Sequence, residues 1–390
     1  MASALEGVRI LDFSRLLPGP YCTMLLGDLG ADVIKVEESK QGDYLRWRAP
    51  YVNGEGAPFM SLNRNKRSLT LNLKHPKGQE LLRRLVATSD VLFEQFRPGV
   101  MKRLNSDYET LKKINPRLIY VALSGYGQDG PYVNMTGHDI NYLSIAGITG
   151  LNGPADGPPV PTGIQIADLS SGQFVAMAIL AALHHVDRTG EGQYVDISMT
   201  DGVVSWQSLA AAYLFAGGEP QVRGKTRYTG GLPCYHIYEC KGGGYISIGA
   251  NEPQFWEHLC QVMARPDFIP YQFTEEKRGE VFAAFNAMFL TKTRDEWFEL
   301  MKDKDICVGP VNDLDETFRD PQVLHREMVL EYDHPKAGRV KTVGFPMKFH
   351  GTPAKIHRHS PGFGEHTDEI LTDLGYSKGE IEELRKEQAV

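Results

Sequence analysis

The sequence predicts an α/β protein built on a parallel sheet, and three observations carry that prediction. The first is a strand–helix–strand unit at the amino terminus: an apolar run from Val8 to Phe13, a helical pattern from Pro20 to Leu29, and a second strand DVIKVE from Asp32 to Glu37. The second is that the alternation continues. A helix over His75 to Thr88, spaced by Leu81, Leu82 and Leu85, leads to a strand over Val91 to Phe96, then a helix over Tyr108 to Ile114 and a strand over Leu118 to Ser124. The third is a shift to the polar stretch GGEPQVRGKTRYTGG, after which strands and helices are arranged differently. Alternation of the first kind makes a Rossmann-like sheet with helices on both faces, and its ligands are expected at the carboxyl ends of the strands.

Bulk properties narrow the function. The chain has 390 residues, 42% of them hydrophobic and 23% charged, enough for two or three domains with real cores. A net charge of −7 and a pI near 6.0 argue against a nucleic-acid binder or a protein of anionic membranes. Between Tyr44 and Arg103, however, there are 12 Lys/Arg against 4 Asp/Glu, a local balance of +8 that suits a small polyanion. Cys22, Cys234, Cys240, Cys260 and Cys307 are odd in number and without CxxC spacing, so neither a disulfide framework nor a metal site is expected. The start MASALEGVRI has no signal-peptide pattern, and the longest apolar run, Phe174 to Leu183, is far short of the ~20 residues that span a bilayer. A soluble, cytoplasmic protein is expected.

Taken in order, the loop SRLLPGP after the first strand offers one glycine between two prolines where a dinucleotide site needs GxGxxG, and proline has no N–H for a pyrophosphate. NRNKRSLTLNL passes from a basic turn into a strand, and RPGV is a turn signal carrying Arg97. The stretch from Gly137 to Gly172 opens with His138-Asp139 at the start of one helical pattern. It crosses a Gly/Pro-rich loop and ends with Asp168 at the start of another. Helix N-termini present unsatisfied amides that suit developing negative charge, although an Asp there is also an ordinary cap. The apolar helix from Asp168 reaches His185; His184 and His185 at its end complement the dipole. A strand over Tyr194 to Met199 and a helix over roughly Asp201 to Ala216 follow, then the linker 216–230. CYHIYEC and YISIGA flank KGGG, a hairpin signal, and three helical patterns complete a compact α+β domain over 231–330. Val340 to Phe349 is extended, and a helical tail covers Thr367 to Lys386.

The segments GVRILDFSRLLPGPYCTMLLGDLGADVIKVE, NKRSLTLNLK, FRPGV, GHDINY, the Asp168 segment, GGLPCYHIYE and GANEPQFW resemble the superfamily of family III CoA transferases and α-methylacyl-CoA racemases over essentially the whole chain. The resemblance implies a large Rossmann-like domain over 1–215 completed by 331–390, a smaller α+β domain over 231–330, and a homodimer of interlocked subunits. It further implies acyl-CoA thioesters as ligands, held at their nucleotide end by basic loops, and no metal or cofactor beyond coenzyme A itself. Lys66, Arg67 and Arg97 are the candidate phosphate ligands, with Arg46 and Arg48 behind them.

Two chemistries fit. In the racemases of this superfamily a His in GHDINY is one base, an Asp about thirty residues on is part of the second, and a Glu in EPQF is hydrogen-bonded within the site; His138, Asp168 and Glu252 match all three. One base would take the α-proton while the other side returns one, through an enolate. In the transferases the residue matching Asp168 is a nucleophile that forms an acyl anhydride, and His138 need not titrate. The three matches favour the racemase; DLSSG after the aspartate, in place of a glycine run such as DFGGG, is closer to the transferase pattern.

Overall fold

The computed structural model describes residues 3–390, which fall into two compact units. The first holds residues up to 146 together with 164–206 and 321–390; the second holds 147–163 and 207–320. The division departs from the sequence expectation at three places, one being that 321–330, expected in the smaller domain, belongs with the first unit. The Gly/Pro-rich stretch 147–163 belongs with the second unit, and so does 207–215. The single helix expected over 201–216 is two, Met199–Ser205 and Ser208–Phe215, and the break between them coincides with the change of unit.

The first unit is built on six parallel strands: β1 (Arg9–Phe13), β2 (Asp32–Glu37), β3 (Lys66–Thr70), β4 (Val91–Glu94), β5 (Ile119–Ser124) and β6 (Tyr194–Ser198). They lie in the order 3-2-1-4-5-6, with Ile10 of β1 in register with Val33 on one side and Val91 on the other. The inner strands are buried along apolar positions such as Ile10, Leu11, Val33, Ile34, Val91 to Phe93 and Ile119 to Leu123, as parallel strands covered on both faces must be, whereas β3 (KRSLT) and β6 (YVDIS) at the two edges are more polar. Helix α1 (Pro18–Asp28) follows β1, starting at a proline whose missing N–H costs nothing in a first turn. Helix α2 (Pro76–Ala87) presents Leu81, Leu82, Leu85 and Val86 to the core, as their spacing requires. Helix α3 (Asp139–Ile145), the long α4 (Ile166–Thr189) and α5 (Met199–Ser205) pack on one another, and α4 also packs on α1. At 24 residues with a mean hydropathy of 1.6, α4 is long and apolar enough to cross a membrane; here it packs among these helices.

β3 is an edge strand, and the far end of the chain covers it. The Thr70 N–H donates to Thr367 Oγ1 at 3.2 Å, the Ser68 N–H to His366 Nδ1 at 3.3 Å, and the Asn72 N–H to the Ala389 carbonyl at 2.9 Å. The expected helical tail is two helices, Thr367–Asp373 and Lys378–Lys386, separated at Gly375, whose φ of 89° ends the first. Their Ile370, Leu371, Ile381 and Leu384 join the core that α2 and the sheet share.

Under the strand ends lies a set of buried charges. Lys66 Nζ, with a side chain that is 0% exposed, reaches Asp12 at 3.3 Å, Asn63 Oδ1 at 2.9 Å and the Pro20 carbonyl at 3.0 Å. Lys35 Nζ pairs with Asp43 at 2.9 Å and donates to the Ser14 carbonyl at 3.0 Å. Arg46 forks onto Glu37, Arg64 onto Asp28 and Arg67 onto Asp32. Burial alone would push the Asp12 carboxyl up, but the Lys66 and Lys35 charges and the Ser14 and Thr23 hydroxyls outweigh it and hold Asp12 below its usual range. Burial likewise draws Lys66 down to about 8 against the pull of Asp12.

The second unit carries three antiparallel strands, β7 (Tyr235–Glu239), β8 (Tyr245–Gly249) and β9 (Val308–Pro310), in the order 9-8-7. The KGGG hairpin lies where the sequence puts it, with Gly242 and Gly243 both at positive φ. Helices α7 (Pro253–Val262), α8 (Glu275–Phe289) and α9 (Arg294–Met301) close over the sheet. The core is aromatic: Tyr238 stacks on Phe289 with centroids 4.5 Å apart, and Trp297 donates its ring N–H to the Phe289 carbonyl at 2.8 Å.

Replacing Lys66 by Met leaves Asp12 buried without its nearest counter-charge. Breaking one partner of a buried pair costs about 3–5 kcal/mol, so the urea midpoint should fall sharply at unchanged m-value. A midpoint equal to the parent's would show that the pair holds nothing.

Candidate active site

In open α/β sheets ligands sit beyond the carboxyl ends of the strands where the strand order reverses, here between β1 and β4. A cavity of about 700 Å³ opens there in the first unit. Its walls are Arg15 and Leu16 after β1, Gln95 to Pro98 after β4, and Ser124 at the end of β5 with Gly125 to Gly127 after it, together with His138 and Asp168 from the starts of α3 and α4.

The loop after β1 is held tightly. Leu16 has a φ of 66°, a strained value for a leucine, and its N–H is taken by both oxygens of Asp43 at 3.2 Å. The Gly19 N–H donates to Gln95 Oε1 at 3.2 Å, and a Cβ at Gly19 would lie 2.1 Å from Ser14 Cβ, so only glycine fits. Gly172 plays a related part on α4: a Cβ there would stand 2.5 Å from the Pro18 carbonyl oxygen. The last residue of DLSSG is thus what lets α4 approach the start of α1. The two serines before it turn inward on their own helix, Ser170 Oγ to the Ala167 carbonyl at 3.2 Å and Ser171 Oγ to the Asp168 carbonyl at 2.9 Å.

His138 is exposed at the N-cap of α3, its backbone N–H held by Asn141 Oδ1 at 2.9 Å. Asp168 is half-buried in the first turn of α4. Burial, and then the charge of Asp139, push its carboxyl up to about 7, so that it exchanges a proton near neutrality. Asp139 Oδ1 accepts the N–H groups of Ala167 at 2.7 Å and Asp168 at 3.2 Å, bridging the starts of the two helices. Burial also raises the Asp139 carboxyl, with those two amides opposing the rise.

The first unit therefore brings together His138, Asp168 and Arg97. Glu252 lies in the second unit, exposed at the residue before α7. Lys66 and Arg67 correct the expectation that they meet a ligand's phosphates. Lys66 is sealed in the interior on Asp12, and Arg67 is spent on Asp32, Glu369 and Asp373, joining β2 and β3 to the first helix of the tail. Arg46 is likewise buried on Glu37, while Arg48 is exposed.

Arg15 and Arg103, which the sequence reading passed over, stand in the cavity wall beside Arg97. Arg15 donates to Tyr44 Oη at 2.9 Å and lies over the Tyr44 ring. Among the described residues none of these three arginines is paired with a carboxylate, so the cavity presents uncompensated positive charge suited to phosphates or carboxylates. Their signal in the sequence was position: Arg15 stands two residues past the first strand, and Arg103 ends the short helix Val100–Arg103 that follows Arg97. Asp139 was legible only as the neighbour of His138; its contact with α4 joins residues 28 and 29 positions apart.

Comparisons with known proteins show the family and the fold. Residues 5–367 match the model of "CoA-transferase family III". The chain is 36% identical over 388 residues to a succinyl-CoA:glutarate CoA-transferase of Mus musculus, covering 97% of this chain and 88% of that one. It is also 36% identical over 420 residues to a formyl-CoA:oxalate CoA-transferase of Rhodopseudomonas palustris, covering 100% and 98%. Its fold is similar to the crystal structure of a CaiB/BaiF family protein from Brucella suis, with a TM-score of 0.82 at 32% identity over 96% of this chain and all of the other. The match over residues 5–367, with relatives 36% identical over nearly the whole chain, makes this chain a member of CoA-transferase family III.

Proposed function

We propose that this protein moves CoA from an acyl-CoA thioester to a free carboxylate, with Asp168 as nucleophile. The observation that carries the reading is the half-buried Asp168 carboxyl in a cavity lined by three carboxylate-free arginines, in a chain whose named relatives are CoA-transferases. This reverses the preference that the His138, Asp168 and Glu252 matches gave the racemase.

A carboxylate oxygen of Asp168 attacks the thioester carbonyl carbon, the C–S bond breaks, and CoA leaves as thiolate from a mixed anhydride. The thiolate attacks the aspartyl carbonyl, releasing the donor acid and leaving Asp168 as a CoA thioester. An acceptor carboxylate attacks that thioester to give a second anhydride and free thiolate. The thiolate then attacks the acceptor's acyl carbon, forming the new acyl-CoA and freeing Asp168 with one acceptor oxygen. Arg15, Arg97 and Arg103 hold the phosphates of CoA. The relatives' names make short dicarboxylates such as succinate, glutarate and oxalate the first acids to try.

The racemase reading keeps one supporting observation, that His138 lines the same cavity as Asp168. A single incubation in D₂O separates the two. Transfer predicts acceptor-dependent appearance of a new acyl-CoA, no deuterium at the α-carbon, inactivation by hydroxylamine during turnover, and ¹⁸O passing from labelled acceptor into Asp168. Deuterium entering without acceptor and without hydroxylamine sensitivity would instead make the protein a racemase. Arg97→Ala should weaken CoA binding about tenfold, as loss of a charged phosphate hydrogen bond does; an unchanged dissociation constant would place the nucleotide elsewhere.

The working form in this reading is a dimer of interlocked subunits. Its support is helix α6 (Ser208–Phe215), apolar after its first residue yet with no buried residue, Leu209 being 55% and Phe215 84% exposed. A face of that kind is covered in functioning proteins. Sedimentation at micromolar concentration should give a dimer that resists dilution, and a monodisperse folded monomer would contradict it.

A further inference from the structure

Helix α4 begins without a cap of its own, because Gln165 at its N-cap position makes no side-chain hydrogen bond to it. The cap comes from α3, where Asp139 Oδ1 takes the amides of Ala167 and Asp168 at 2.7 and 3.2 Å. Asp168 stands in the same turn, where free amides and the helix dipole would ordinarily donate to its carboxylate and make it more acidic. Those amides are already occupied. Among the hydrogen bonds of the described residues none ends on the Asp168 carboxylate, and the charge nearest in effect is the like charge of Asp139.

The elements packed on α4 and the cavity loops carry other ionisable groups. α3 brings His138 and Tyr142, α1 carries Tyr21 and Cys22, α5 carries Asp201, and the cavity loops bring Arg15, Arg97 and Arg103. β5 and β6, which also pack on α4, carry Tyr120, Tyr194 and Asp196. After burial it is Asp139 that acts on Asp168, and together they push the carboxyl up to about 7.

We propose that Asp139 is a positioning residue for Asp168: it occupies the amides at the start of α4, denies them to the Asp168 carboxylate, and keeps that carboxylate beside a second negative charge, so that it is a stronger base and nucleophile than a helix N-terminus would otherwise allow. The proposal rests on the transferase reading for its catalytic meaning, but the state of the Asp168 carboxyl is measurable without turnover. A group raised in this way is a nucleophile only above its own pKa, so the acid limb of kcat/KM follows Asp168 in the free enzyme.

Asp139→Asn keeps a side-chain oxygen for the two amides and removes the charge. The acid limb should move to lower pH by ~1 unit, and the rate on the plateau should fall because the carboxylate is less nucleophilic. Asp139→Ala releases the amides as well, so its acid limb should move at least as far and its melting temperature should drop below that of the Asn variant. In protein labelled with ¹³C at aspartate carboxyls, the Asp168 resonance, assigned by its loss in Asp168→Asn, should titrate at correspondingly lower pH in Asp139→Asn. An Asp168 resonance that titrates at the same or a higher pH in Asp139→Asn overturns the proposal, as does an unmoved acid limb in an active Asn variant. If the parent protein transfers no CoA to any acid tried, the transferase reading fails, and the resonance still decides what Asp139 does.

Discussion

The structure depends on charges buried beneath the first three strands. Lys35 and Lys66 are both fully enclosed, and each spends a donor on a main-chain carbonyl of the segment that follows β1, Ser14 for one and Pro20 for the other. Asp43, held by Lys35, in turn grips the N–H of Leu16 in its strained conformation. The chain that forms one wall of the cavity is therefore tied to the sheet by ionic hydrogen bonds in a place that water does not reach. Such pairs add little net stability over an apolar filling, because desolvation consumes most of the attraction. Their effect is conformational: a loop that deviates leaves a buried charge unmatched, and few alternative loops can satisfy Lys35, Lys66, Asp12 and Asp43 together.

The same network explains what the sequence made legible and what it did not. The alternation of strands and helices is written locally, in apolar runs and in the spacing of Leu81, Leu82 and Leu85, and it survives intact. The local excess of Lys and Arg after Tyr44 is equally plain but misleading. Lys66, Arg67, Arg64 and Arg46 face inward and are neutralised by Asp12, Asp32, Asp28 and Glu37, all of which precede the counted window. Charge counted along a chain cannot distinguish a cation that meets solvent from one whose partner sits on the neighbouring strand. Arg97 belongs to the first kind because it stands in a turn at the cavity, as Arg15 and Arg103 do. The break between α5 and α6 escaped notice because SWQSLAAAYLF keeps a helical composition across it; it is set by packing that no window of residues records.

The site shows a comparable division. His138 and Asp168 can be found because helix starts have a local signature, and both line the cavity. What makes Asp168 unusual is supplied from outside its own helix, by burial and by a carboxylate on α3. Residue type and spacing identify a reactive group, while its environment is a property of tertiary contacts. DLSSG illustrates the point: its serines bond back into α4, and its glycine matters for the closeness of α1 rather than for any ligand.

The seam between β3 and the tail has a consequence for how the protein is made. Thr70 and the Thr367 that caps it are 297 residues apart. At ~5–20 residues per second of synthesis, a ribosome reaches the tail roughly 15–60 s after finishing β3. Throughout that interval the sheet margin carries unpaired amides and Arg67 lacks two of its three carboxylates. An unpaired margin of this sort is a template for pairing with another nascent chain. Slow or stalled translation of the second unit would therefore lengthen the interval in which the first is sticky, and a chaperone that shields β3 would act before Thr367 emerges.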